Sequence, residues 1–194
     1  MLNDITPFVV VRNLRRRPDR LENMKNRMAE IETDFYLQDA VDDKKTLKPA
    51  QWWNAQNSIM MIRYAKAVNL ESILLLDDDC VFIDEFNKTL KERWEYMPND
   101  WDIVSFGEIY GQAEDVAPGV VRCFYTWGGH ASLIRNTVYD LILEHVRGET
   151  WADEEINLRF KKDIKFYAFK PYLITQAEDY SDLKNEHMRN EKFE

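Results

Sequence analysis

The chain has 194 residues, of which 45% are hydrophobic and 31% are charged, and its formal net charge is −9. This composition excludes a disordered chain, and the length predicts a single domain, residues 1–194, with a charged tail at about 183–194 that we expect to be mobile. The negative charge argues against a broad DNA- or RNA-binding surface, although it leaves room for a local basic cleft. No apolar run approaches the roughly 18–20 residues that span a bilayer, and the N-terminus lacks a signal-peptide core, so we expect a cytoplasmic protein.

The first predicted strand, residues 8–11, runs into a turn crowded with arginines. The β-branched run predicts the strand, and Asp19 with Glu22 three residues later resembles a capping box that would begin a helix. The turn carries five arginines and an asparagine: Arg12, Asn13, Arg15, Arg16, Arg17 and Arg20. A strand end beside a helix N-terminus favours an anion, and arginine binds phosphate through two parallel hydrogen bonds. We therefore predict an anion-binding turn, with a solvated basic loop as the alternative.

In the central segment, four apolar residues, 73–76, are followed directly by Asp77, Asp78 and Asp79. A short uninterrupted apolar run predicts a strand buried on both faces, and its carboxyl end is where open α/β sheets place ligands. Because strand side chains alternate, Asp77 and Asp79 would point one way and Asp78 the other. Aligned carboxylates favour a hard divalent cation. The alternative is one turn-capping aspartate with two solvated neighbours.

Strands and helices alternate through the rest of the chain. Helical periodicity covers residues 50–67, and we predict further helices over 86–97, over 136–148 and from 151 onward. Further strands are predicted at residues 35–37, 101–106, 120–125, 166–169 and 172–174, and residues 127–134 are predicted as a glycine turn that runs into a strand. Residues 108–119 are polar and rich in turn formers, which predicts a mobile loop near the site. This alternation indicates an α/β sandwich with a mostly parallel central sheet flanked by helices.

Several motifs follow one another in a fixed order along nearly the whole chain. They are Asn-Leu-x-Arg-Arg-x-Asp-Arg at residues 13–20, Ala40-Val41-Asp42, the acidic strand end at 77–79, Trp127-Gly128-Gly129-His130-Ala131, Asp153-Glu154 and Leu173-Ile174-Thr175-Gln176. In this order the chain resembles the family-25 glycosyltransferases, which include lipopolysaccharide and collagen sugar transferases with a Rossmann-like GT-A fold. The resemblance implies inverting transfer of a sugar from a nucleotide sugar, a UDP-sugar above all, to a hydroxyl of a glycan, a protein or another acceptor. Residues 53–59 depart from the family pattern, keeping only Ser58 of its Gly-x-x-Gly-Cys-x-x-Ser-His helix start.

The chemistry of such a transfer assigns roles to these residues. The reaction expels a diphosphate, whose negative charge a divalent ion, Mn²⁺ or Mg²⁺, would neutralise as a Lewis acid. We expect Asp77 and Asp79 to hold that ion, with His187 as a further ligand. Donor binding is assigned to Arg12, Asn13, Arg16, Arg17, Arg20, Asp42, Asp77, Asp78 and His130. The inversion implied by the resemblance needs a base to activate the acceptor hydroxyl, and Asp153 and Glu154 are the candidates.

Two other hypotheses about the function of the acidic strand end stay open. In a haloacid-dehalogenase-like phosphatase, Asp77 would be the nucleophile and Asp79 the general acid and base, since Asp-x-Asp-x-Val matches that superfamily's pattern. This alternative leaves the arginine turn without a role. A non-catalytic nucleotide-binding protein on the same fold is the second alternative. The retained carboxylates argue against it, because a scaffold has no use for charges that repel one another.

Overall fold

The structure is a computed structural model that describes residues 2–43, 45–107, 110–160, 163–177, 180–181 and 186–187. The helices within these residues are α1 Leu2–Ile5, α2 Pro18–Glu30, α3 Ala50–Ala67, α4 Phe86–Trp94, α5 Tyr139–His145 and α6 Ala152–Phe160. The strands are β1 Val9–Leu14, β2 Tyr36–Ala40, β3 Ser72–Asp77, β4 Cys80–Phe82, β5 Ile103–Ser105, β6 Tyr110–Ala117, β7 Val120–Trp127, β8 Ala131–Arg135, β9 Phe166–Phe169, β10 Ile174–Gln176, β11 Tyr180–Ser181 and β12 Glu186–His187.

The main sheet has eight strands in the order β2-β1-β3-β8-β5-β9-β7-β6. Strand β1 is parallel to both β2 and β3, and β5 is parallel to β9. Strand β8 is antiparallel to β3 and β5, while β7 is antiparallel to β9 and β6. Six of the eight strands therefore share one direction, although the sheet is mixed in its pairings. The predicted α/β class is confirmed, and β1, β2 and β3 bring three carboxyl ends to one edge.

The sheet is covered on both faces, as the apolar run at residues 73–76 predicts. Ile73 and Leu75 belong to the core cluster formed with α3 and α5, and Leu74 and Leu76 belong to the cluster formed with α2 and α4. All four side chains are at most 2% exposed. Burying one such side chain contributes about 1.5–3 kcal/mol. The end of β3, where the aspartates begin, is therefore anchored from both sides.

Helix α2 begins differently from the prediction. It begins at Pro18 with Arg17 in the N-cap position, without a side-chain cap hydrogen bond, so the predicted capping box is wrong. The Asp19 carboxylate instead accepts hydrogen bonds from the Arg17 guanidinium, at 2.9 Å from Nη2. Proline fits the first helical turn because its backbone angle is already helical and its missing N–H has no partner to lose there.

Residues 110–117 form strand β6, paired with β7, so the mobile loop predicted for this segment is wrong where the structure describes it. Residues 108–109 lie outside the described residues. Strand β6 lies at the edge of the sheet and its residues 111–116 are exposed. The segment therefore lacks the alternation of apolar and polar residues that would predict a strand. Of the predicted tail, the structure describes residues 186–187, which pair with β11. No helix among the described residues is both long and apolar enough to cross a membrane.

Candidate active site

The acidic strand end turns back instead of continuing as a strand. Strand β3 ends at Asp77, Asp78 and Asp79 form a turn, and the chain resumes as β4, which pairs with β10. All three aspartates line one cleft, so the predicted alternation, with Asp78 facing away, is wrong. A turn removes the two-residue periodicity of a strand, and consecutive side chains can then converge.

Arg12, on β1, ties this turn to two other parts of the molecule. Its Nη2 atom lies 2.7 Å from Asp77 Oδ1 and also donates a hydrogen bond to the Gly129 carbonyl at 3.3 Å. Its Nη1 atom donates a hydrogen bond to Ser58 Oγ at 2.6 Å. The Arg12 side chain is buried and its Nε has no hydrogen-bond partner among the described residues. Arg12 therefore joins α3, β3 and the glycine pair before β8, and its position on the wall of the cleft fits the predicted role beside the donor.

Arg20 and Asn13 hold the other two aspartates. Arg20 Nη1 lies 3.0 Å from Asp78 Oδ1 and 3.3 Å from Asp79 Oδ2, and Asn13 Nδ2 donates to Asp78 Oδ2 at 2.6 Å. Arg20 and Asp78 are both buried. Burial raises the pKa of Asp78, and the attraction of Arg20 opposes the rise. Asn13 and Arg20, predicted to bind the donor, thus also hold the acidic turn in place.

Asp77 is the most perturbed carboxylate of the turn. Burial raises its pKa to about 7; the Arg12 guanidinium opposes the rise, and the Asp79 and Asp78 charges add to it. A carboxylate in this setting is favourable as an anion only when enough positive charge stands beside it. Positive charge beside Asp77, such as the Arg12 guanidinium, therefore favours its anionic form.

The remaining arginines of the turn lie at the rim or outside the cleft. Arg16 forms an ion pair with Asp42, which lines the cleft after β2. Arg17 pairs with Asp19 on the first turn of α2. Arg15 pairs with the half-exposed Asp39 and stands in solvent. Arg16 is thus connected to the cleft through Asp42.

The cleft lies at the carboxyl ends of β1, β2 and β3 and has a volume of about 650 Å³, with open solvent at its mouth included. Its lining residues are Arg12, Leu14, Arg20, Ala40, Val41, Asp42, Asn54, Asn57, Asp77, Asp78, Asp79 and Gln176. It therefore lies at the edge of the sheet where open α/β sheets bind nucleotides.

A divalent ion fits the oxygen atoms of this turn in one specific way. Within the described residues, no three His, Cys, Asp or Glu side chains are placed to enclose a metal. Mg²⁺ is usually held by one or two carboxylates together with substrate phosphates and water. Asp79 suits this mode because its two oxygens are held only at 3.3 Å, by Gln176 and Arg20. The side chain of His187 lies outside the described part of the chain, so its role as a ligand stays a prediction.

The Gly-Gly-His segment contacts the acidic turn through its backbone. The His130 carbonyl accepts a hydrogen bond from the Asp77 amide at 2.8 Å. Its imidazole is buried over Gly107, where an added Cβ would stand 2.1 Å from Nε2. Gly107 is thus required by the ring that packs on it. Donor binding by His130 stays a prediction.

Three consecutive acidic residues on α6 have three different partners. Asp153 Oδ2 accepts from the Gly128 amide at 2.8 Å, and the Glu154 carboxylate accepts from the Thr150 hydroxyl. Glu155, which sequence reasoning missed, is 1% exposed and accepts from backbone amides of residues 147, 149 and 150. Burial raises its pKa, but the backbone hydrogen bonds outweigh burial and the net pKa is lowered. Of the two candidate bases, Asp153 contacts the glycine pair that Arg12 also contacts.

Sequence reasoning also missed the asparagines of α3. Asn57 is buried, and its amide holds both the N–H and the C=O of Val41, at 2.9 and 3.0 Å. Asn54 lines the cleft one helical turn earlier. Neither position matches the family motif. The signal available was their three-residue spacing, which places both on one helix face.

Comparison with solved structures finds this architecture in other proteins of low sequence identity. A glycosyltransferase involved in the glycosylation of the major capsid of PBCV-1 has 9% sequence identity and a TM-score of 0.61, with 92% of this chain and 95% of that chain covered. A Drosophila β-1,4-galactosyltransferase 7 mutant, in complex with manganese, UDP-Gal and xylobiose, has 13% identity and a TM-score of 0.52, with 95% and 77% covered. A putative glucose-1-phosphate thymidylyltransferase from Bacillus anthracis has 11% identity and a TM-score of 0.45, with 82% and 67% covered, and supports no argument by itself.

The chain therefore shares the α/β fold of GT-A glycosyltransferases. At these identities the fold alone is shared. No protein-family model matches the chain, and no curated protein matches its sequence. The resemblance to family 25 stays a prediction.

Proposed function

We propose that this protein is a metal-dependent glycosyltransferase that moves a sugar from a nucleotide-sugar donor, a UDP-sugar, to an acceptor hydroxyl with inversion. One observation carries the proposal: the three carboxylates of the acidic turn and two buried arginines converge in a single cleft, at the carboxyl ends of β1 to β3. The fold in which they converge is shared with glycosyltransferases. A diphosphate leaving group brings two or more negative charges to the site, and a divalent ion held by the carboxylates, together with the arginines, would offset them.

Asp79 would hold the ion, assisted by Asp77, because Asp79 is the carboxylate with the longest protein contacts in the turn. Bound Mn²⁺ or Mg²⁺ would supply Lewis-acid stabilisation of the departing diphosphate. Arg16 at the rim would exchange its ion pair with Asp42 for the phosphates. Asp42 would then accept hydrogen bonds from the ribose hydroxyls, a common role for a carboxylate after the second strand of such sheets.

Asp153 is the proposed general base. Its carboxylate is anchored by the Gly128 amide, and Arg12 holds the neighbouring Gly129 carbonyl at 3.3 Å. The donor side and the base are therefore linked by a short chain of hydrogen bonds. Glu154, by contrast, bonds the Thr150 hydroxyl at the start of its own helix, which gives it a role in helix geometry. We expect Asp153→Asn to keep donor binding and lose transfer; unchanged transfer would assign the base elsewhere.

The deciding assay incubates the protein with Mn²⁺ and a panel of UDP-, GDP- and CMP-sugars and measures released nucleotide. Donor-dependent release that Asp79→Ala abolishes is the expected result. Asp140→Ala, which removes an exposed carboxylate paired with Lys66 on the surface, is the matched control and should keep full release. Cleavage of a generic phosphomonoester without any response to sugar nucleotides would favour the phosphatase. Nucleotide binding without turnover would favour the non-catalytic protein.

A further inference from the structure

The β2 side of the cleft is chemically unlike the acidic turn. Its lining residues are the apolar Leu14, Ala40 and Val41 and the uncharged Asn54 and Asn57, with Asp42 as the carboxylate at the rim. Neither the ion nor the diphosphate of the proposed function uses these neutral groups. Apolar surface with a few placed polar groups is typical of a pocket for a flat organic group.

The wall on this side is held in place by α3. Asn57 clamps the backbone of Val41 with two hydrogen bonds, and Gln38 Nε2 donates to the Asn57 carbonyl at 3.0 Å. The clamp fixes the chain just after β2 and leaves Val41 43% exposed. An apolar side chain held in the open by buried hydrogen bonds is available to pack against the face of a ligand.

Asn54 lies three residues before Asn57 and therefore on the same face of α3. It lines the cleft, and within the described chain its side-chain amide has no hydrogen-bond partner. The amide offers one acceptor and two donor hydrogens. It is therefore equipped to bond an edge that presents a donor beside an acceptor, as the edge of a nucleobase does.

The order of the strands fixes which end of a nucleotide sugar lies here. In the sequence β2-β1-β3-β8, the acidic turn follows β3 in the middle. Asp153, the proposed base, contacts Gly128 before β8, on the far side of the turn from β2. The transferred sugar must face the base, so the diphosphate over the acidic turn leaves the β2 side to the nucleoside.

We propose that Val41 and Asn54 form the nucleobase subsite of the donor, with Val41 packed against the face of the base and Asn54 hydrogen-bonded to its edge. The subsite rests on the proposed function, since it assumes a nucleotide whose diphosphate lies at the acidic turn. For a UDP-sugar the bonded edge is the imide of uracil. Asn54 is then a specificity-determining residue, and Asn57 is a positioning residue that acts through Val41.

The test measures binding of UDP and of inorganic diphosphate by calorimetry, both with Mn²⁺ present, to the wild type and to Asn54→Ala. We expect Asn54→Ala to weaken UDP binding about three- to tenfold, the loss of one hydrogen bond, and to leave diphosphate binding unchanged. Gln56→Ala, two residues along the same helix and outside the cleft lining, is the control and should bind both probes like the wild type. Val41→Thr, which keeps the shape of the side chain and replaces one methyl group with a hydroxyl, should weaken UDP binding alone.

Each other outcome is decisive. If Asn54→Ala binds UDP as tightly as the wild type, the subsite is wrong and the proposed function stands. If Asn54→Ala loses UDP and diphosphate in equal measure, Asn54 acts on the phosphates and the subsite is wrong. If the wild type binds neither UDP nor GDP nor CDP, the proposed function itself fails and the subsite fails with it. An unchanged melting temperature in the variants shows that each loss arises in the cleft.

Discussion

Glu155 gives the sharpest prediction about how the site is held together. Its two carboxylate oxygens are divided between three backbone amides of the segment from α5 to α6: Oε2 accepts from residue 147 at 2.6 Å, and Oε1 accepts from residues 149 and 150. In Glu155→Gln the side chain keeps its shape, but one acceptor oxygen becomes an NH₂ group. That NH₂ must face at least one N–H donor, which is then left unpaired in a buried place.

The expected cost follows from these contacts. A hydrogen bond to a charged group contributes about 1.5–3 kcal/mol, and a buried donor without a partner costs about 1–3 kcal/mol. Because the variant retains one acceptor, we expect a loss of about 2–4 kcal/mol in the free energy of unfolding. For a chain of this length that is a fall of roughly 5–12 °C in melting temperature. Glu154→Gln is the matched control, since its carboxylate serves a single hydroxyl, and it should lose about 1 kcal/mol or less.

The difference in the free energy of unfolding between the wild type and Glu155→Gln should also depend on pH. The folded pKa of Glu155 lies below its ordinary value of 4.5, so the carboxylate stabilises the fold above that pH and loses this effect as the pH falls through the folded pKa. Urea unfolding of the wild type and Glu155→Gln at pH 7 and at pH 3 measures the two differences. A variant as stable as the wild type at pH 7, or a gap that does not shrink at pH 3, would refute the reasoning.

Three further predictions concern the cleft and its supports. We expect Mn²⁺ to tighten UDP binding to the wild type, and we expect this tightening to be at least about tenfold smaller in Asp79→Asn. Calorimetry of UDP binding with and without the ion measures the effect. Arg12→Lys should lose about 2–3 kcal/mol in urea unfolding, because an ammonium cannot bond all three partners of the guanidinium; equal stability would contradict those contacts. Gly107→Ala should lose about 2 kcal/mol or more, since its Cβ would stand 2.1 Å from His130 Nε2, whereas Gly129→Ala, with its nearest contact at 3.5 Å, should unfold like the wild type.

The parts of the fold that the sequence predicts well are those with a periodic apolar pattern. Residues 50–67 are predicted as one helix, and α3 has the bounds Ala50–Ala67. The run at 73–76 predicts a strand buried on both faces, and β3 alternates its side chains between the two core clusters. In both cases burial of apolar side chains decides the structure. Because the buried side chains recur at the spacing of the helix or the strand, the sequence shows the same periodic pattern.

The parts that could not be predicted depend on partners far apart in the chain. Glu155 is indistinguishable from Asp153 and Glu154 until the segment 147–150 folds back over it. Strand β6 is polar because it is an edge strand, and its pairing with β7 leaves no apolar signal. The direction of Asp78 depends on the turn after β3, which in turn depends on β4 pairing with β10, almost a hundred residues later. These contacts leave no periodic pattern in the sequence.

The acidic turn shows why site and fold depend on the same residues. Three adjacent carboxylates repel one another, and among the described residues two guanidinium groups, from Arg12 on β1 and Arg20 on α2, form ion pairs with them. Removing Arg20 would leave the buried Asp78 carboxylate without its ionic partner, which typically costs about 3–5 kcal/mol. Lost activity in an Arg20 variant is therefore ambiguous, because an unfolded site and a missing phosphate contact give the same result. Asn54 and Asp79 avoid this ambiguity, since each lines the cleft with weak or no ties to the protein, and their variants report on binding directly.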